Sequence, residues 1–253
     1  MNIVPIPAFQ SNYLWSIEDG TSAVIVDPGE AYPVISHMEN SELDLKYILI
    51  THHHPDHVGG IRQLKKHFPD CQVYGPASEN IPMIDFKLKE NDEVDLGSLG
   101  EYKVLDIPGH TAGHIAYYDQ QNAFVGDTVF AVGCGRLFEG TPSQMVNSFT
   151  KIKALSPQTK LFCAHEYTQS NIEFALAVDP DNKALQKRKG ECEDLRQQNI
   201  PTVPSTLEQE LETNPFLRCH LPHIQQAASR QSGKKIDNEI ETFAAIRRWK
   251  DSF

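Results

Sequence analysis

Seven consecutive residues constrain this chain more than any other stretch: Thr51-His52-His53-His54-Pro55-Asp56-His57, directly after the apolar run Tyr47-Ile48-Leu49-Ile50. That run reads as a strand. In extended backbone, residues two apart face the same way, so His52 and His54 converge while His53 points elsewhere. Asp56 and His57 then open the next helix, and Gly59 and Gly60, lacking side chains, let that helix sit close under the cluster. Closely spaced imidazoles beside a carboxylate would cost stability if buried without a cation. Nitrogen and oxygen donors together suit zinc, with iron and manganese as alternatives.

Other donors follow the same rule of position. His110 ends the run Tyr102–Asp106 and its Pro-Gly turn, Asp127 ends Ala123-Phe124-Val125-Gly126, and His165 ends Leu161-Phe162-Cys163-Ala164. In α/β proteins, sites form outside the carboxyl ends of strands, so separate strands delivering His or Asp there point to one pocket. Four donors in the first cluster and three at these strand ends are enough for two metals. His37, His67, His220 and His223 are isolated in the sequence and read as ordinary surface or core histidines.

Short β-branched and apolar runs near residues 2, 13, 23, 47, 102, 115, 123 and 161 predict strands. Val58, Ile61, Leu64 and Phe68 predict one helix face, and Met145, Phe149, Ile152 and Leu155 another, with Ser143 as its cap. Strands both preceding and alternating with helices imply a mixed α/β sheet structure. Beyond residue 166 strand signals stop, and 168–178, 182–199, 207–212 and 237–250 all read helical. We therefore expect a catalytic domain over 1–166 and a small all-helical domain over 167–253.

The formal charge of −11 disfavours polyanionic partners such as nucleic acid. Five widely spaced cysteines with no CxxC pair argue for a reducing compartment. No apolar stretch approaches the ~20 residues that a membrane helix needs. A soluble, cytoplasmic and monomeric chain is the expectation.

Thr51–His57 resembles the THxHxDH signature of the metallo-β-lactamase superfamily. The segments around Asp27 (VDPG), His110 (PGHTAGH), Asp127 (GDTVF) and His165 (AHEYT) resemble its remaining motifs in order. The resemblance implies a four-layer αββα sandwich with a two-metal site. It gives His52, His54 and His110 to one metal, Asp56, His57 and His165 to the other, and Asp127 to both as a bridge, making Asp56 and Asp127 the catalytic carboxylates. Asp27 and His114 would support these ligands from behind.

Within that superfamily, GCGRLFEGT from Gly133, Tyr167, NPFLR from Asn214 and the closing RRWKDSF resemble glyoxalase II, the hydroxyacylglutathione hydrolases. This implies hydrolysis of a glutathione thioester, S-D-lactoylglutathione, to glutathione and D-lactate in methylglyoxal detoxification. Arg136, Phe138, Tyr167, Arg247 and Lys250 would hold the glutathione moiety. Phe138 stands where some members have tyrosine, which removes one phenolic hydrogen bond. Two divalent ions, zinc first, would be the cofactors. A nuclease of the same fold is disfavoured by the acidic charge, an oxidative diiron member by His54 where glutamate is expected, and a mononuclear dioxygenase by the presence of Asp56, His57 and His165. A purely structural zinc site would be closed and rich in cysteine, unlike this donor set.

Overall fold

A computed structural model describes residues 1–253. The chain divides into two compact units, Met1–Asp106 with Thr111–Gly126, and Ile107–His110 with Asp127–Phe253.

The first unit contains β1 (Asn2–Ala8), β2 (Asn12–Glu18), β3 (Ser22–Val26), α1 (Ala31–Asn40), β4 (Asp44–Leu49), α2 (Pro55–Val58), α3 (Ile61–His67), β5 (Gln72–Pro76), β6 (Phe86–Leu88), β7 (Glu93–Asp95), β8 (Glu101–Asp106), β9 (Ile115–Tyr118) and β10 (Asn122–Gly126). β1 to β6 form a sheet in sequence order, antiparallel from β1 to β3 and parallel from β3 to β6. β7 to β10 pair antiparallel as a second sheet.

Alternation explains how the first sheet is covered. One parity, with Leu14, Ala23, Ile25 and Leu45, packs in a core with Val34 and Met38 of α1 and Ile61 and Leu64 of α3. The other parity, with Trp15, Ile17, Val24 and Val26, is buried too, so both faces are covered. Burying side chains as completely as Val34 and Leu64 is worth roughly 1.5–3 kcal/mol each. The Tyr117 hydroxyl of β9 donates to the Ile50 carbonyl at 2.9 Å, and the Ile115 amide donates to the Thr51 carbonyl at 3.0 Å. These bonds fix the second sheet against the segment carrying the histidine cluster.

The second unit contains β11 (Val129–Phe130), β12 (Gly133–Cys134), α4 (Pro142–Lys153), β13 (Lys160–Cys163), α5 (Thr168–Val178), α6 (Lys183–Gln197), β14 (Ser205–Thr206), α7 (Leu207–Thr213), α8 (Pro222–Ser232) and α9 (Glu239–Asp251). Phe149, Phe174, Phe216, Phe243 and Trp249 interlock from α4, α5, α9 and the segment after α7, with ring centroids 5.4–5.9 Å apart. Offset and edge-on rings of this kind add to the apolar burial.

Several expectations need correction. The helix expected through Val58 and Phe68 is two helices, because the Gly60 amide donates to the Pro28 carbonyl at 2.8 Å and leaves the helical ladder; a Cβ on Gly59 would lie 2.6 Å from the Gly29 carbonyl oxygen. The cap of α4 is Thr141 rather than Ser143. Its hydroxyl accepts from the Gln144 amide while the Gln144 side chain accepts from the Thr141 amide, and Pro142 occupies the first helical position. A short strand, β14, lies within the region read as wholly helical and pairs with β13.

Candidate active site

In the first unit, the turn after β4 is built around Asp27. Asp27 has φ +52, an uncommon conformation for a residue with a side chain, and is held there by two bonds. Its Oδ1 accepts from the Thr51 amide and its Oδ2 from the Thr51 hydroxyl, both at 2.7 Å. Having donated its single proton, the Thr51 hydroxyl accepts from His52 Nδ1 at 3.0 Å. The other ring nitrogen of His52, Nε2, is thereby left with its lone pair, 3.1 Å from His54 Nδ1. His57 Nδ1 lies 3.0 Å from Asp27 Oδ2 and His57 Nε2 3.6 Å from Asp56 Oδ2. Ligand atoms of Asp27, His52 and His57 all lie within 4.8 Å of one another.

His53 turns away from this group and meets the buried Glu79 carboxylate at 2.9 Å. Glu79 also accepts from the Thr111 hydroxyl and the Gly113 amide, clasping the loop that leads to His114. His114 is fully buried and stacks on His52, with ring centroids 4.6 Å apart. The Asn12 side chain donates to Asp56 Oδ2 at 3.0 Å. Gly29 allows the nearby turn to approach this far, since a Cβ there would stand 1.9 Å from the Asp56 carbonyl oxygen.

In the second unit, three donor atoms converge. Asp127 Oδ2 lies 3.5 Å from His110 Nε2 and 3.3 Å from His165 Nε2, and all three residues are buried. His110 Nδ1 donates to the Arg136 carbonyl at 2.8 Å, again leaving Nε2 as the electron-pair donor. The His110 Nε2 lone pair and the Asp127 carboxylate oxygen, 3.5 Å apart, repel unless a cation lies between them. Gly135 is required here: a Cβ would fall 2.0 Å from the Asp127 carbonyl oxygen and 2.9 Å from His110 Nδ1.

A cavity of about 350 Å³ opens from His110 and Asp127. Phe130, Cys134, Arg136, Phe138, Tyr167, Asn171, Arg247 and Lys250 contribute to its walls. Tyr167 stacks flat on His165 at 4.7 Å, and Phe138 stands edge-on to His110 at 5.3 Å while remaining 63% exposed. The three cations differ in setting. Arg136 is exposed, whereas Arg247 is 6% exposed and donates to the Cys134 carbonyl at 2.7 Å and to Asp251 at 3.1 Å. Lys250 Nζ reaches the Ser170 carbonyl at 3.1 Å and lies over the Phe174 ring; burial first, then Arg247, lowers its pKa to about 8. Burial pushes the Cys134 thiol up to about 11 and the Cys163 thiol to about 12, so neither supplies a thiolate at neutral pH.

Thr51, Glu79, Asn12, Glu210 and Asp251 were not anticipated from the sequence. The threonine opens the histidine motif and could have been found there. The others are single polar residues, each with at least one partner far away in sequence.

Two family models divide the chain: Metallo-beta-lactamase superfamily over residues 8–165, and Hydroxyacylglutathione hydrolase C-terminus over 166–253. A hydroxyacylglutathione hydrolase of Photobacterium profundum is 50% identical, with 100% of each chain covered. The chain belongs to the hydroxyacylglutathione hydrolase family. A second member, from Nitrosomonas europaea, is 48% identical over 100% of this chain and 97% of its own. Among solved structures, TTHA1623 in a di-iron-bound form matches with a TM-score of 0.59 at 25% identity, covering 85% of this chain and 100% of its own. The fold class is that of the metallo-β-lactamase superfamily with a helical C-terminal segment, as the motifs implied. The family is one of enzymes, and its His and Asp clusters suit two metal ions.

Proposed function

We propose that this chain hydrolyses S-(2-hydroxyacyl)glutathione, S-D-lactoylglutathione foremost, to glutathione and a 2-hydroxy acid, at a binuclear metal site. One observation carries the reading: a single cavity is lined by the donors His110 and Asp127 and by the cations Arg136, Arg247 and Lys250. A ligand there meets an electrophilic end and an anion-binding end, which suits a thioester attached to an acidic peptide. Relatives of full-length coverage that are named hydroxyacylglutathione hydrolases support it.

The donor set fits divalent cations. His52 and His110 each have Nδ1 tied to an oxygen of the protein, which leaves Nε2 to coordinate. We assign His52, His54 and His110 to one ion, Asp56, His57 and His165 to the other, and Asp127 to both, with Asp27 and His114 behind them. Zinc is the first choice, with iron or manganese as alternatives; TTHA1623 holds two irons. When bound, such ions polarise a carbonyl and bring the pKa of a water down to roughly 7.

The protein's own residues supply binding and orientation. Lys250, Arg136 and Arg247 attract the glutathione carboxylates. Phe130, Phe138 and Tyr167 wall the cavity and keep bulk water from the thioester. The departing thiol has an ordinary pKa of about 8.5, so it leaves as thiolate without a dedicated general acid. We assign catalysis to residues 1–166 and the helical part of the glutathione site to 167–253, with Arg136 and Phe138 completing it. We further propose a cytoplasmic monomer. All five cysteines are free and buried, which suits a reducing compartment.

The test is a substrate panel on metal-loaded protein: S-D-lactoylglutathione, a lactone, a β-lactam and an RNA. The thioester should be turned over with kcat/KM at least 100-fold above the others. Preference for any other substrate would refute the assignment.

A further inference from the structure

Asp251 is the last residue of α9, and two local rules disfavour it there. A negative charge at a helix C-terminus opposes the helix dipole, and an arginine preceding an acid by four residues is the weaker order of such a pair. A placement that breaks local rules without local gain points to a role elsewhere. The same oxygen, Oδ1, accepts from Arg247 NH2 at 3.1 Å and lies 3.6 Å from Arg136 Nε. One carboxylate thus gathers two guanidinium groups, one from its own helix and one from the loop after β12, both on the wall of the cavity.

We propose that Asp251 is a positioning residue for glutathione recognition: it holds the side chains of Arg136 and Arg247 in register so that, with Lys250, they present a preformed anion site. This rests on the reading of the cavity as a glutathione site. Arg136 is 66% exposed and long, and without a partner its guanidinium would sample many rotamers, an entropy cost that falls on ligand binding. Arg247 is better fixed, by the Cys134 carbonyl and the Phe216 ring 5.2 Å away, so the larger effect of Asp251 is on Arg136.

The effect is confined to binding, because the backbone of the Arg136 loop is secured independently. Its carbonyl accepts from His110 Nδ1, and the Phe138 amide donates to the His110 carbonyl at 3.1 Å. Loss of Asp251 therefore loosens a side chain and leaves His110 in place.

The experiment compares full-length, metal-loaded wild type with Asp251→Asn and Asp251→Glu. Steady-state constants are measured on S-D-lactoylglutathione and on an uncharged thioester, and S-methylglutathione affinity is measured by calorimetry. Asp251→Asn should raise KM and the S-methylglutathione Kd by about 5- to 10-fold, since the amide oxygen still accepts from a guanidinium and only the charge is lost. It should leave kcat within twofold and the uncharged thioester unaffected, and Asp251→Glu should recover most of the loss. Tighter binding in Asp251→Asn would overturn the role by making Asp251 a competitor of the ligand. Unchanged binding, or equal losses on both thioesters, would overturn it as well. Wild-type protein that turns over the uncharged thioester but neither binds nor cleaves glutathione compounds would overturn the glutathione reading itself, and this role with it.

Discussion

At the scale of single residues, the donor cluster is organised by groups that do not themselves belong to it. Thr51 donates its hydroxyl hydrogen bond to Asp27 and accepts one from His52, so a threonine sets the tautomer of a histidine. His53 sits between two donors in sequence, yet it faces Glu79. Asp127→Ala and His54→Ala should therefore each abolish turnover and lower bound metal, whereas His53→Ala should cost less than about tenfold in kcat, since it removes a loop contact rather than a donor. Elemental analysis with kinetics checks this, and full metal content in Asp127→Ala would exclude the bridging assignment. Cys134 makes the opposite point: it lines the cavity, but burial raises its pKa to about 11. Alkylation of native protein at pH 7.5, read by mass spectrometry, should leave Cys134 unmodified until the chain is unfolded.

Lys250 carries a pH dependence whose sign is fixed. Its pKa of about 8 is set by burial and Arg247, with the Cys134 thiol and Glu173 acting weakly in the other direction. Below pH 8 it is charged and attracts a carboxylate; above pH 8 it is neutral. KM for a glutathione thioester should rise about tenfold from pH 7 to pH 9, and Lys250→Arg should flatten that rise relative to wild type. A wild-type profile that stays flat, or that Lys250→Arg leaves unaltered, would count against Lys250 as a contact. For folding the sign is reversed. Between pH 8 and 10.5 the unfolded chain holds the extra proton, so this group adds stability as pH rises.

At the scale of elements, α7 holds the loop between β11 and β12 from within the second unit. Glu210 is fully buried; it accepts from the Val132 amide at 2.8 Å and the Asn214 side chain at 2.9 Å, and pairs with Arg188 at 2.7 Å. Val132, with φ +59, is held in a conformation that a β-branched residue rarely adopts. Glu210→Ala would strand the buried Arg188 charge and should destabilise the fold by roughly 3–5 kcal/mol, with Glu210→Gln milder. Urea unfolding measures this, and a loss below about 1 kcal/mol would mean that water replaces the carboxylate. On α9, Lys250→Ala should raise KM for glutathione thioesters by about 10- to 150-fold with kcat nearly unchanged, as expected for loss of a charge-assisted bond remote from the carbonyl.

Across the whole molecule, what could be read in advance follows from signal strength. The strands β1 to β4, β8 to β10 and β13 were legible because each is a run of apolar or β-branched residues bounded by turn formers. β6 and β7, three residues each and partly charged, carry no such pattern. α1 was missed although Val34 and Met38 mark its face, since Pro33 and His37 dilute the period, and α8 buries only Ile224 and two alanines. Of the candidate site, the donors were legible because metal chemistry demands rare residue types at strand ends. Glu79, Glu210 and Asp251 were not, because a lone acid in sequence does not reveal which distant group it will meet.

The central claim is that glutathione-thioester cleavage depends on metal held by these histidines and aspartates. The most direct measurement is a titration of metal-depleted, full-length protein with zinc while S-D-lactoylglutathione hydrolysis is followed. Activity should be absent at the start, rise with added metal and level off at two equivalents per chain. Full turnover by the metal-free protein, or metal binding with no thioester cleavage, would contradict the account.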